Sequence, residues 1–153
     1  MKKYELTDDY IDLLDKKLYR IRALTSFSDV KAGDLGGYIE KEENLSHFNT
    51  AWVYDDAKVW GNAKVYGDAK VRNYAIICDA AWAFDYAEVR DSTIVTENAR
   101  VFGHSTVFGT ALIHGDARIF GIAKVGGTAN INGTAEIYGI KKIQTPTELY
   151  GDI

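Results

Sequence analysis

From Ala51 to Pro146 the chain runs through sixteen consecutive six-residue blocks with no insertion. AKVWGN, AKVYGD and ARVFGH are representative. Position 1 is Ala in thirteen blocks, with Thr93, Ser105 and Lys141 in the others. Position 3 is Val or Ile in fifteen, the exception being Ala83. Position 5 is Gly, Asn or Asp in fourteen, with Glu97 and Thr145 as exceptions. Self-similarity at a fixed short period is the signature of a solenoid, and it outranks any local propensity in deciding the fold.

Each column has a physical reason. Positions 1 and 3 lie two residues apart, so on a strand they share a face. The small and the β-branched side chain therefore point inward together, and Val and Ile suit strands because they are stiff at χ1. Position 5 must bend the chain, and Gly, Asn and Asp tolerate positive φ at least cost. A four-residue strand plus a two-residue bend makes one side of a prism, and three sides make an eighteen-residue coil. The sixteen hexads predict five to six coils, roughly 25 Å of parallel β-helix at the usual strand spacing.

Residues 1–44 lack the hexad pattern. Tyr4-Glu5-Leu6 and Lys17 to Leu24 alternate as strands do, and Gly33-Asp34-Leu35-Gly36-Gly37 is turn-rich. This segment is expected to form a small β-rich cap over the first coil. Leu45 to Thr50 (LSHFNT) is expected to sit in register as a degenerate hexad. The predicted division is therefore a cap at 1–44, a parallel β-helix at 45–146 and a tail at 147–153. Lys141, Lys142 and Pro146 are expected to blunt the last edge.

The hexads resemble those of the hexapeptide-repeat proteins, whose parallel β-helix is left-handed. Here Gly falls two residues after the Val or Ile, a departure from the usual hexad that is similar to a narrower set, the YdcK-like bacterial and phage group. The cap carries the more specific part of the likeness, in LYRIRAL (18–24), DVKAGDLGGYIE (29–40) and Leu45-Ser46. The resemblance implies an all-β, left-handed parallel β-helix. It also brings a transferase label that rests on fold analogy.

Eighteen-residue stacking places outward columns one above another. One column reads Phe48, Tyr66, Phe84, Phe102, Phe120 and Tyr138, all aromatic, with Trp82, Tyr86, Ile122 and Ile140 in flanking columns. An apolar strip of this length marks a contact surface, or a ring ladder that stiffens the coil. A second face offers Ile76, Ile94 and Leu112, beside Trp60, Cys78 and His114, as a smaller candidate for the same role. The third, with Lys70, Arg72, Glu88, Arg90 and Lys124, is expected to be solvated.

Composition limits the chemistry. The formal charge is −4 with both signs interspersed. That disfavours a nucleic-acid partner, and it is too weak for an acidic surface imitating DNA. A single cysteine, Cys78, precludes an internal disulfide and suits a reducing cytoplasm. No signal peptide or membrane-length apolar run is found. Three histidines and one cysteine do not compose a metal site. Asp55, Asp79, Asp85 and Asp91 fall in the bend column and are read as turn residues. Gly33 to Gly37 lacks the Lys-Ser/Thr tail and following helix of a phosphate loop.

In hexapeptide acyltransferases, which the resemblance brings in, the base is a histidine near an extended loop. His114 and His104 are therefore the candidates here, although neither lies on an insertion. The expectation is a non-catalytic interaction protein without cofactor. It would self-associate as a dimer or trimer through the aromatic face, and if phage-derived would target a host protein, including a defence protein. The alternative is an acyltransferase using an acyl-coenzyme A donor.

Overall fold

The structure is a computed structural model and describes residues 2–144 and 148–149. It is all-β and built as a parallel β-solenoid with a rung every six residues, from Trp52–Val53 to Glu148–Leu149. Rungs eighteen residues apart pair in register, so Trp52 opposes Lys70 and Ile94 opposes Leu112. The rungs fall into three sheets, one per side of the prism.

The strands proper span two residues rather than four, yet the pairing continues past them. Lys64 N donates to Ala81 O at 3.1 Å, Tyr66 N to Ala83 O at 3.1 Å and Asp68 N to Asp85 O at 2.7 Å. Positions 2, 4 and 6 thus donate to the carbonyls of positions 1, 3 and 5 one coil on. Ala, Val and Ile of positions 1 and 3 are buried along the prism axis. The rung at Ala83 pairs regularly with those at Val65 and Val101, so the coil does not bulge there. Position 5 is left-handed from Asp55 to Gly139, including Glu97 at φ 59°.

The bend carboxylates have a structural use. Asp55, Asp85 and Asp91 each accept the N–H of the next coil's bend residue, at 3.0, 3.1 and 2.9 Å. Asp79 does the same for Glu97 at 3.3 Å. A short acidic side chain therefore both tolerates the left-handed bend and pairs a donor that the ladder leaves over.

The N-terminal segment is an antiparallel hairpin, β1 (Tyr4–Leu13) and β2 (Lys16–Ala23), followed by β3 (Leu35–Ile39). β3 pairs antiparallel with β2 on one side and parallel with the rung at Lys58–Val59 on the other, which joins cap to solenoid in one sheet. Gly36 and Gly37 make the join: an added Cβ on Gly36 would lie 2.6 Å from Val53 O, and one on Gly37 would lie 2.7 Å from the Val53 side chain. Trp52, at an outward position, is buried because the cap covers it, with Tyr4 and Phe27 edge-on to its ring.

The first coil's rearward carbonyls have no preceding coil, and polar groups of the cap bond to them. Asn44, fully buried, donates through Nδ2 to Gly61 O and Ala63 O at 3.1 and 2.9 Å, while its Oδ1 accepts from Glu40 N and Lys41 N. On the next side, Lys3 Nζ donates to the equivalent pair, Asn49 O and Ala51 O, at 3.3 and 2.6 Å. On the third, Arg20 Nη1 reaches Asp55 O at 3.1 Å and Tyr38 N reaches Ala57 O at 2.9 Å. Side chains together with backbone N–H groups thus reproduce the donor pattern of a missing coil.

Two expectations about the ends need revision. Leu45 to Thr50 is not in register: Leu45 bridges Val65, and Ser46 N donates to Val65 O, so Leu45 takes the place predicted for His47. The large apolar Leu45 fills the inward position, and two extra residues are accommodated before the bend at Asn49 (φ 58°). At the other end, Glu148–Leu149 pairs with Asn130–Ile131 as another rung, although it was assigned to the tail. The bend at Thr145 and the edge role of Pro146 lie outside the described residues, as do 150–153.

Candidate binding surface

The outward aromatic column forms a stack over five of its six members. Tyr66, Phe84, Phe102, Phe120 and Tyr138 follow one another at centroid separations of 4.8, 4.8, 5.0 and 5.2 Å, with interplanar angles from 2° to 13°. Strand spacing alone sets this distance, because identical positions recur once per coil. The rings cover one another's faces and leave their edges outward, so all but Tyr138 are half-buried. Trp82 packs edge-on against Tyr66 and Phe84 and carries the Arg100 guanidinium 4.2 Å above its ring.

Phe48 departs from the column. The two-residue shift at Leu45 puts Ser46 where the sixth ring was expected, and Phe48 projects with 81% of its surface exposed. Beside it lies a cleft of about 480 Å³ walled by Phe48, Tyr66 and Trp82, with Leu45, Ser46 and Val65 at its base and Glu42, Glu43 and Lys64 around it. Sequence reasoning missed this cleft because it depends on the slip.

The flank is apolar and exposed. Tyr86 stacks on His104 at 4.6 Å, and below them Ile122 and Ile140 are exposed by 51% and 77%. His104 is thus a member of the ring surface. On the second face Ile76, Ile94 and Leu112 lie side by side in neighbouring rungs. Cys78, in the next outward column, is nearly buried and donates to Thr96 Oγ1 at 3.2 Å; burial raises its thiol pKa, which opposes nucleophilic use.

The face expected to be solvated is more ordered than that. Arg72 lies over Tyr54 at 4.1 Å and Arg90 over Phe108 at 5.0 Å, with Glu88 3.5 and 3.7 Å from the two guanidinium groups. Phe108 occupies the room that a side chain at Gly126 would need. Asp29, whose carboxyl accepts from Tyr54 at 2.7 Å and is held below its usual pKa by that bond, ties the cap to this face.

Of the histidines, His114 has partners that sequence did not reveal. Its Nε2 lies 2.7 Å from Asn130 Oδ1 and its Nδ1 3.5 Å from Glu97. Thr96, one coil back in the same column, bonds to Asp79 at 2.6 Å. His47 belongs to the cap: its Nδ1 accepts from Lys3 N at 3.1 Å, which leaves Nε2–H to donate to Glu42 at 2.9 Å, and its ring stacks on Tyr4. That bond and the one from Lys2 hold the Glu42 carboxyl below its usual pKa.

No helix among the described residues is long and apolar enough to cross a membrane. Comparison with protein-family models and with curated proteins returned no match.

Proposed function

We propose that this is a non-catalytic interaction protein that self-associates, as a dimer or trimer, through its aromatic face. The supporting observation is the continuous ring stack flanked by the exposed Tyr86, Ile122 and Ile140. Edges of stacked rings beside exposed aliphatic side chains form a flat, rigid, apolar strip, and strips of this kind are usually covered by a partner. We place the chain in the YdcK-like group on the cap motifs, with a left-handed coil and a cytoplasmic location. A phage origin in that group would make a host protein, including a defence protein, the natural target for the remaining faces.

Gel filtration with multi-angle light scattering tests the association. The expected result is a dimer or trimer that Ile122→Lys converts to monomer without changing the β-sheet circular dichroism. A wild-type chain that stays monomeric at high concentration would end this reading.

A second reading is supported by His114, whose Nε2–H donates to Asn130 Oδ1 at 2.7 Å, which orients the ring and leaves Nδ1, 3.5 Å from Glu97, as the nitrogen that can take a proton. It is an acyltransferase with an acyl-coenzyme A donor. Calorimetry with acetyl-coenzyme A separates the two, since only this reading predicts heat of binding and loss of turnover in His114→Ala.

A further inference from the structure

The ring stack begins one step later than the coils do. Tyr66 carries Phe84 on one face at 4.8 Å. On its other face the chain places Ser46, because Ser46 N–H occupies the bonding position that Tyr66 N–H occupies one coil on. A hydroxymethyl group therefore stands where the repeat would otherwise supply a ring. The apolar cleft opens at that point, lined by Tyr66, Trp82 and the exposed Phe48.

The geometry points to a site for one planar aromatic side chain of a partner polypeptide, a Phe, Tyr or Trp, laid on the open face of Tyr66 as the next step of the stack. Three observations select this occupant. Neighbouring rings in the stack already sit parallel at 4.8 to 5.2 Å, so the site is built for a flat ring at that spacing. The cleft, at about 480 Å³, is a size that takes a small ligand or one large side chain. Around it, Glu42 is already engaged by Lys2 and His47, while Glu43 and Lys64 are exposed and opposite in charge. That balance favours neither a cation nor an anion, and it suits the neutral dipoles of the peptide bonds flanking an aromatic residue. Phe48, 81% exposed, lines the same cleft and offers its ring to the occupant.

The inference deepens the reading of this face as a contact surface but fails separately from it. Association is read by light scattering, ring binding by a small probe. Ligand-observed saturation-transfer NMR with N-acetyltryptophanamide is the test, with N-acetyl-cyclohexylalaninamide as an apolar, non-aromatic control. The aromatic probe is expected to bind with a dissociation constant of order 1 mM, about tenfold tighter than the saturated control. Tyr66→Leu is expected to weaken binding about tenfold and Phe48→Ala, at an exposed position, about threefold. Tyr138→Leu, at the other end of the stack and away from this cleft, should leave binding unchanged. Should Tyr66→Leu perturb the fold, Phe48→Ala against Tyr138→Leu decides alone. No transfer at about 10 mM probe, equal transfer to the saturated control, or equal loss in Tyr138→Leu would overturn the site.

Discussion

Thr93 and Ser105 occupy the small-residue column and are fully buried, yet they differ. Ser105 Oγ donates to Phe102 O at 2.7 Å, whereas Thr93 Oγ1 has no partner, alone among the buried side-chain polar atoms described. An unpaired buried hydroxyl costs about 1–3 kcal/mol. Thr93→Val is therefore expected to stabilise by about 1 kcal/mol, and Ser105→Ala to destabilise by a similar amount, in urea midpoints. Lys3 supplies a pH signature. Burial, partly offset by Asp68, lowers its ammonium pKa from 10.5 to about 8. Between those values the unfolded chain holds a proton that the folded chain has released, so raising the pH favours folding. Tyr4 and Tyr54 act oppositely: burial raises both above 10.0, with Glu42 and Asp29 adding to it, so above that pH only the unfolded phenols ionise. Stability is expected to rise from about pH 8 toward 10, by at most about 3 kcal/mol, then fall. Lys3→Met should abolish the rise. Bend residues were legible in sequence because only a few residue types tolerate positive φ. Thr93's missing partner was not, since column identity does not say where a hydroxyl turns.

Among the elements, the cap is tied to the first coil by Asn44, which is fully buried. Its amide makes four bonds in a buried setting. Asn44→Ala should cost about 3 kcal/mol by leaving Gly61 O and Ala63 O without donors. In the ring stack Phe102 touches Phe84 and Phe120, so Phe102→Ser is expected to cost about 1–3 kcal/mol. Both figures are checked by chemical denaturation. The stack was legible as a column because its spacing follows from the coil length. Phe48 was misplaced because the bend at Asn49 keeps the repeat's phase and hides the two extra residues before it. Leu45 carried the missing signal: an inward Leu belongs in the branched column, and moving it there exposes the slip. Likewise Thr147-Glu148-Leu149-Tyr150-Gly151-Asp152 has a small, an apolar and a Gly residue at positions 1, 3 and 5. That pattern was the signal that the tail assignment overlooked, and of it the described Glu148–Leu149 pairs as a rung.

At the scale of the molecule, the cap and the coils are one sheet system, and the coils depend on the cap for their first edge. Removing residues 2–44 should expose three sides of unpaired carbonyls and the buried Trp52 and cause aggregation, as followed by light scattering on expression against the full chain. The repeat made the prism, its dimensions and its buried columns readable. The way the cap's side chains stand in for a coil was not, because Lys3, Arg20 and Asn44 come from separate stretches of sequence and converge only through the fold. The same plugs bear on the order in which the molecule assembles. Because the cap precedes the repeats in the chain, synthesis presents a finished edge before any rung needs one. Each eighteen residues that follow then find a strand already in place to dock on. Growth therefore runs one way, like a zip closed from its fixed end, and long-range pairing is replaced by a succession of short local steps.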